Sequence, residues 1–166
     1  MVDDIVIIKA KIDYVESFCK AVDTVAREKK YLASTEGFPL ETTRAFVEII
    51  EKNDLAQFYA LKDGIVIGWC DILPKSFEEM KHVGSLGMGV LAEYRGKGIG
   101  SRLIETTIQH AKTRNGIEKI ELEVFESNTN AIKLYEKYGF VYEGKRFKAR
   151  KLDGKYDNII LMAKFL

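Results

Sequence analysis

The 166 residues carry 26 Lys and Arg against 25 Asp and Glu, a formal net charge of +1, with 46% apolar and 31% charged side chains. That length suits one packed core over residues 1–166, the balance excludes wholesale disorder, and the near-neutral charge gives no global electrostatic case for a nucleic-acid partner. Cys19 and Cys70 stand alone without C-x-x-C spacing, the chain opens Met1-Val2-Asp3-Asp4 without a basic leader, and no run approaches the ~18 apolar residues of a membrane span, so a soluble, cytoplasmic protein with no metal site and no membrane partner is expected.

Residues 4–11 predict a strand, since Ile5, Val6, Ile7 and Ile8 form an unbroken β-branched run. From Asp13, a plausible N-cap, Val15, Phe18, Cys19, Val22, Val25 and Ala26 recur at helical spacing. Residues 29–38 break that period, and a second helix starts at Pro39 or Leu40, with Phe46, Val47 and Ile50 on one face and Glu41 near its positive end. Lys62-Asp63-Gly64-Ile65 lies between two apolar runs, a strong hairpin signal. Residues 73–81 read as a loop containing Pro74, and residues 82–91 as a strand with an unusual glycine density at 84, 87 and 89.

Ile99, Leu103, Ile104, Ile108 and Ala111 mark a third helix, ended by Asn115-Gly116. A strand over 119–125 places Ile120, Leu122 and Val124 on one face, a fourth helix over 128–138 closes at Gly139, and Asp153-Gly154 joins two final strands. The order β-α-α-β-β-β-α-β-α-β-β predicts an α+β (mixed α/β) domain: a mixed, mostly antiparallel seven-stranded sheet with about four helices on its two faces.

The run Arg95-Gly96-Lys97-Gly98-Ile99-Gly100-Ser101 falls between a strand and the first turn of a helix. Unpaired backbone N–H groups and the helix dipole favour an anion there, the glycines permit close approach, and Arg95 and Lys97 add charge at the rim. A Walker loop is excluded because Gly98 follows Lys97 where Ser or Thr is required. A dinucleotide fingerprint, Gly87-Met88-Gly89-Val90-Leu91-Ala92, lies inside a strand that no helix directly follows.

The R-x-x-G-x-G run at Arg95 to Gly100 resembles the pyrophosphate signature of the GNAT N-acetyltransferases. Asn128-Thr129-Asn130-Ala131-Ile132-Lys133-Leu134-Tyr135-Glu136-Lys137-Tyr138-Gly139-Phe140 is similar to their second signature, N-x-x-A-x-x-L-Y-x-x-x-G-F. The resemblance implies acetyl-CoA as co-substrate, a strand before the loop that bulges and splays from its neighbour, and pantetheine paired with the backbone of Met88 and Val90. It also implies cofactor contacts from Met88, Gly89, Val90, Arg95, Gly96, Lys97, Gly98, Ile99, Gly100, Ser101, Asn128, Ala131, Tyr135 and Lys137. The partners so implied are acetyl-CoA and an amine acceptor, and a homodimer is left open.

Acetyl transfer to an amine needs a neutral nitrogen, a stabilised carbonyl oxygen and a proton for the departing thiolate. By resemblance Tyr135 supplies that proton, although its helical stripe with Ala131, Leu134 and Tyr138 equally suits a core aromatic. Asn128 is either a pantetheine contact or an N-cap competing with Ser127, and Lys137 is either a phosphate contact or a solvated lysine. For the base, residues 85–91 offer no carboxylate, while Leu122-Glu123-Val124-Phe125-Glu126-Ser127-Asn128 resembles the L-E-V-x-x-S-N stretch of the branch that acetylates ribosomal-protein N-termini. That likeness makes Glu123 the candidate base, against a role as a surface partner, with Glu36, Glu41 and Asp71 remaining. His82 and His110 are isolated and read as structural or solvated, and the basic run 145–151 reads as a solvated sheet edge. Acceptor specificity is expected in 29–40, 73–81 and the final hairpin.

Overall fold

The structure is a computed structural model that describes residues 4–166; Met1 to Asp3, read above as lacking leader features, lie outside the described residues. Seven strands form one sheet: β1 (Ile5–Lys9), β2 (Ala56–Lys62), β3 (Ile65–Pro74), β4 (Val83–Val90), β5 (Lys119–Phe125), β6 (Val141–Leu152) and β7 (Lys155–Phe165), in the spatial order β1-β2-β3-β4-β5-β7-β6. The four α-helices are α1 (Val15–Arg27), α2 (Leu40–Lys52), α3 (Ile99–Asn115) and α4 (Thr129–Lys137). The pairings are antiparallel except that of β4 with β5, as expected for hairpins interrupted by one crossover through α3.

The alternation of the strands divides the core. Tyr59, Leu61, Val66 and Trp69 pack with Val15, Phe18 and Val25 of α1 and Val47 and Ile50 of α2. The opposite face of the same strands gives Ala60, Ile67 and Cys70 to Ile99 and Leu103 of α3. Ile120, Leu122 and Val124 of β5 meet Ile104 and Ala111 of α3 and Tyr135 of α4 on that second face. Two helices therefore cover each face; the faces alternate residue by residue in β2 and β5, while in β3 the register shift opposite Ala60 and Leu61 puts Val66 with Trp69 and Ile67 with Cys70.

Local chemistry explains the turns. Asp63 (φ 50°) and Gly64 (φ 77°) both have positive φ, as do Asp153 (φ 49°) and Gly154 (φ 78°), the conformation that joins twisted antiparallel strands in two residues. Asp13 does not cap α1: it lies exposed in a single 3-10 turn, Ile12–Tyr14, and the helix opens at Val15 without a side-chain cap. Burial of Val15 and Phe18 against the sheet sets that boundary instead. The basic run lies on β6, an edge strand, whose ladder with β7 breaks between Arg146 and Arg150.

Candidate active site

The site begins with an interruption in the sheet. β4 pairs with β3 over its whole length, from Pro74↔Gly84 to Gly68↔Val90, without a shift in register. It pairs with β5 through only Val83↔Lys119, Gly84↔Ile120 and Ser85↔Glu121. The two strands part after Ser85 and leave a slot beside residues 86–90. The expected splay is present, but the expected bulge in β4 is not; the opening arises wholly at its β5 edge.

The backbone groups that face this slot follow from the pleat. The carbonyl of Val83 accepts from Lys75 and the N–H of Leu91 donates to Ile67 at 2.8 Å, so odd-numbered residues of β4 point their backbone groups toward β3. Met88 and Val90 then direct theirs into the slot, and the Val90 carbonyl there accepts from Nε of Arg95 at 2.8 Å. Gly89 serves packing: an added Cβ would lie 2.4 Å from the Trp69 ring.

At the mouth of the slot α3 begins without a side-chain cap. Gly96 (φ 73°) and Gly98 (φ 80°) are left-handed, with nothing within 4 Å of a built Cβ at either. The loop backbone is therefore open to close approach at both glycines, just ahead of a helix whose first N–H groups have no intrahelical partner. Gly100 differs, since its Cβ would press on Leu134 at 3.3 Å and Met88 at 3.5 Å; there glycine lets α3, α4 and β4 approach. Ile99 is buried in the core and Ser101 is half-buried, while Lys97 is exposed at the rim, its Nζ 5.5 Å from the Tyr94 ring centre.

Arg95 is not free at that rim. Its guanidinium forms a two-pronged pair with Glu28, one arm at 2.8 Å, and lies 4.6 Å from the ring centre of Tyr31. The pair holds the Glu28 carboxyl below its ordinary range. This partner lies 67 residues away in sequence, beyond the reach of any local pattern.

From the β5 side, Asn128 caps α4: its Oδ1 accepts from Ala131 N–H at 3.3 Å, while Ser127 donates to Asp157 instead. Tyr135 is 7% exposed, its ring 5.8 Å from that of Phe140, on the α3 and α4 face. Burial, with the nearby Cys70, raises its hydroxyl pKa, so it keeps its proton. Lys137 is exposed over Tyr138, 5.7 Å from the ring centre.

The candidate base, Glu123, points to the α1 and α2 face, where Arg146 of β6 pairs with it at 2.6 Å and both side chains are 54% exposed. Asp71, on the same face, is half-buried and accepts from Gln57 at 3.2 Å. Glu36 lines a surface cleft with Cys19, Asp23 and Phe38, and Glu41 is exposed in the first turn of α2. His110 is structural, bonding the Asp54 carbonyl at 2.9 Å, and His82 is exposed with its carbonyl bonded to Glu118 and Lys119. Two of the segments expected to select the acceptor do meet. Lys29, Lys30 and Tyr31 face Arg150 of β6 across a pocket of about 310 Å³ that also reaches Ser127 and Asn128. Arg150 bonds the Lys29 carbonyl and lies 4.1 Å from the Phe125 ring centre.

Among the described residues no group of three or more His, Cys, Asp or Glu side chains could hold a metal ion, and no helix is long and apolar enough to cross a membrane. The profile of the Acetyltransferase (GNAT) family matches residues 22–140. The L-amino acid N-acetyltransferase AaaT of Escherichia coli is 31% identical over 116 residues, 70% of this chain and 72% of that protein. An N-alpha-acetyltransferase of Saccharolobus solfataricus is 36% identical over 132 residues, 72% of this chain and 74% of its own. In fold, a GNAT-family acetyltransferase of Streptococcus pneumoniae superposes with a TM-score of 0.91 at 23% identity, covering 98% of this chain and 99% of that one. A phosphinothricin acetyltransferase of Sinorhizobium meliloti, solved in complex with acetyl-CoA, gives 0.90 at 16% identity over 98% and 89%. With the parted β4–β5 ladder, the glycine loop and the capped α4 in place, these matches make the chain a member of the GNAT acetyltransferase family, an acetyl-CoA-dependent N-acetyltransferase.

Proposed function

We propose that the protein acetylates a primary amine by direct attack within a ternary complex, with amine and proton donor on opposite faces of the sheet. The observation that carries this is the three-pair ladder between β4 and β5, which ends at Ser85 and leaves the β5-side backbone of residues 86–90 without a strand partner, with Tyr135 buried on the α3 and α4 face. The N–H groups from Gly96 to Ser101 would hold the pyrophosphate, with Lys97 and Lys137 at its edge. Met88 and Val90 would pair with the pantetheine arm, and an N–H there would polarise the thioester carbonyl. Acetyl-CoA supplies an activated acyl carbon; the chain orients it, excludes water and moves protons. Tyr135 would give its proton to the departing sulphur.

Direct attack is favoured over acylation of the protein because neither cysteine suits a nucleophile. Cys70 is fully buried with its thiol pKa pushed far up by burial, and Cys19 is engaged with the Phe38 carbonyl at 3.3 Å. Initial rates of thiol release, with acetyl-CoA and acceptor both varied, should give intersecting double-reciprocal lines. Parallel lines would point to an acyl-enzyme, and binding without release for every acceptor would make the chain an acyl-CoA sensor.

The pocket between 29–31 and Arg150 favours one acceptor class. Two lysines and an arginine around a small cavity suit an amine that carries a carboxylate beside it, as a free amino acid does, and repel a polyamine. The likeness to an L-amino acid N-acetyltransferase supports the same class. Free L-amino acids should therefore outperform their C-terminal amides and spermidine in kcat/KM; preference for spermidine would overturn this assignment.

A further inference from the structure

We infer that Asp71 is the general base of the transfer, taking the acceptor's proton across Gly87; this rests on the acetyltransferase reading above. Gln57 on β2, Asp71 on β3 and Gly87 on β4 are direct cross-strand neighbours, one row across the sheet. Trp69 and Leu73, two residues to either side of Asp71, pack in the core under α1 and α2, so the row projects to the face from which the acceptor comes.

The carboxylate is held and aimed. Gln57, fully buried, donates to Oδ2 at 3.2 Å, and its own oxygen accepts from the Tyr59 hydroxyl at 3.4 Å. Oδ1 is directed at Gly87, where a Cβ would stand 3.3 Å away. The reason for glycine differs along β4. At Gly84 and Gly89 an added Cβ would strike Ile72 at 2.5 Å and Trp69 at 2.4 Å, so packing demands glycine. At Gly87 the atoms within reach belong to the Asp71 carboxylate alone. Any side chain there would stand between that carboxylate and the slot, and the ladder to β5 has already ended at Ser85.

Its chemistry suits the task. Burial pushes the Asp71 carboxyl up to about 7, opposed by the Gln57 hydrogen bond, so it is a far better base than an exposed carboxylate and still ionises near neutral pH. The groups that feel its charge are Tyr59 of β2 and Cys70 of β3, both kept protonated by burial, while Glu51 of α2 acts on the same tyrosine. Glu123, in contrast, is exposed and already paired with Arg146. During transfer the N–C bond forms and the C–S bond breaks. The nitrogen loses one proton to Asp71, the sulphur gains one from Tyr135, and both groups then re-equilibrate with solvent, leaving no net proton change for a neutral amine.

Two measurements test this. In protein labelled with ¹³C at aspartate Cγ and saturated with CoA, one carboxyl should titrate near 7 and vanish in Asp71→Asn; titration of every aspartate in the ordinary carboxylate range would overturn the inference. With an L-amino acid, spermidine or a free-N-terminal peptide as acceptor, whichever turns over, Asp71→Asn should lose about a hundredfold or more in kcat and the acid limb near 7, with acetyl-CoA affinity unchanged. Persistence of that limb in Asp71→Asn, or its transfer to Glu123→Gln, refutes the assignment. Should Asp71→Asn fail to fold, Gly87→Ala keeps the carboxylate but closes its path, and an unchanged kcat there is equally adverse. Wild type inactive with all three acceptors would instead overturn the proposed transfer to amines of these classes, on which the inference rests.

Discussion

On one side of the slot, β4, the loop into α3 and the start of α4 owe their geometry to backbone: a broken ladder, two left-handed glycines and a capped helix end. On the other side, the connection between α1 and α2 and the β6–β7 hairpin are held by side chains that reach across the molecule, Arg95 to Glu28 and Arg150 to the Lys29 carbonyl. Backbone-defined geometry of this kind depends little on individual side chains. Side-chain contacts are easily exchanged, which suits the region proposed above to select the acceptor. Arg95 joins the two regions, since it anchors on the Val90 carbonyl of the slot and on Glu28 at the end of α1.

The largest effect expected is on chemistry. Tyr135→Phe should lower kcat by about a hundredfold or more while leaving acetyl-CoA affinity intact by calorimetry. Equal losses in both would mean that the ring serves packing. Next, Gly98→Asp puts a carboxylate and an unfavourable left-handed backbone into the cradle, and acetyl-CoA should bind about tenfold more weakly or worse. Unchanged affinity would remove the loop from the cofactor side. The smallest change, Glu28→Gln, loosens the acceptor side alone: acceptor KM should rise several-fold, about 1 kcal/mol, with little change in the dissociation constant of acetyl-CoA. Equal weakening of both ligands would mean that the two regions form one unit.

The proposed cofactor side was legible in the sequence because its signals are local. The strand over 119–125, the end of the third helix at Gly116 and the helix between Asn128 and Gly139 fall where periodicity and capping placed them. The acid candidate at Tyr135 came from resemblance alone, while its helical spacing suited a core aromatic, and the side chain is buried. The acceptor side was far less legible. Arg95 was expected to add charge at the rim of the glycine loop, and its side-chain partner Glu28, 67 residues away, lay beyond any local pattern. Asp71 was one carboxylate among several until Gln57 and Gly87 were brought level with it.

By itself, then, the sequence determined the elements, the glycine-rich loop at the start of α3 and the family. Hydrophobic period, turn residues and helix ends are properties of a few consecutive residues, and they survive in the chain whatever it folds against. Only the tertiary structure decided where β4 leaves β5, what Arg95 holds and which carboxylate faces the slot. Each of these depends on strand register and on pairs distant along the chain, which burial and cross-strand geometry select and local pattern does not record.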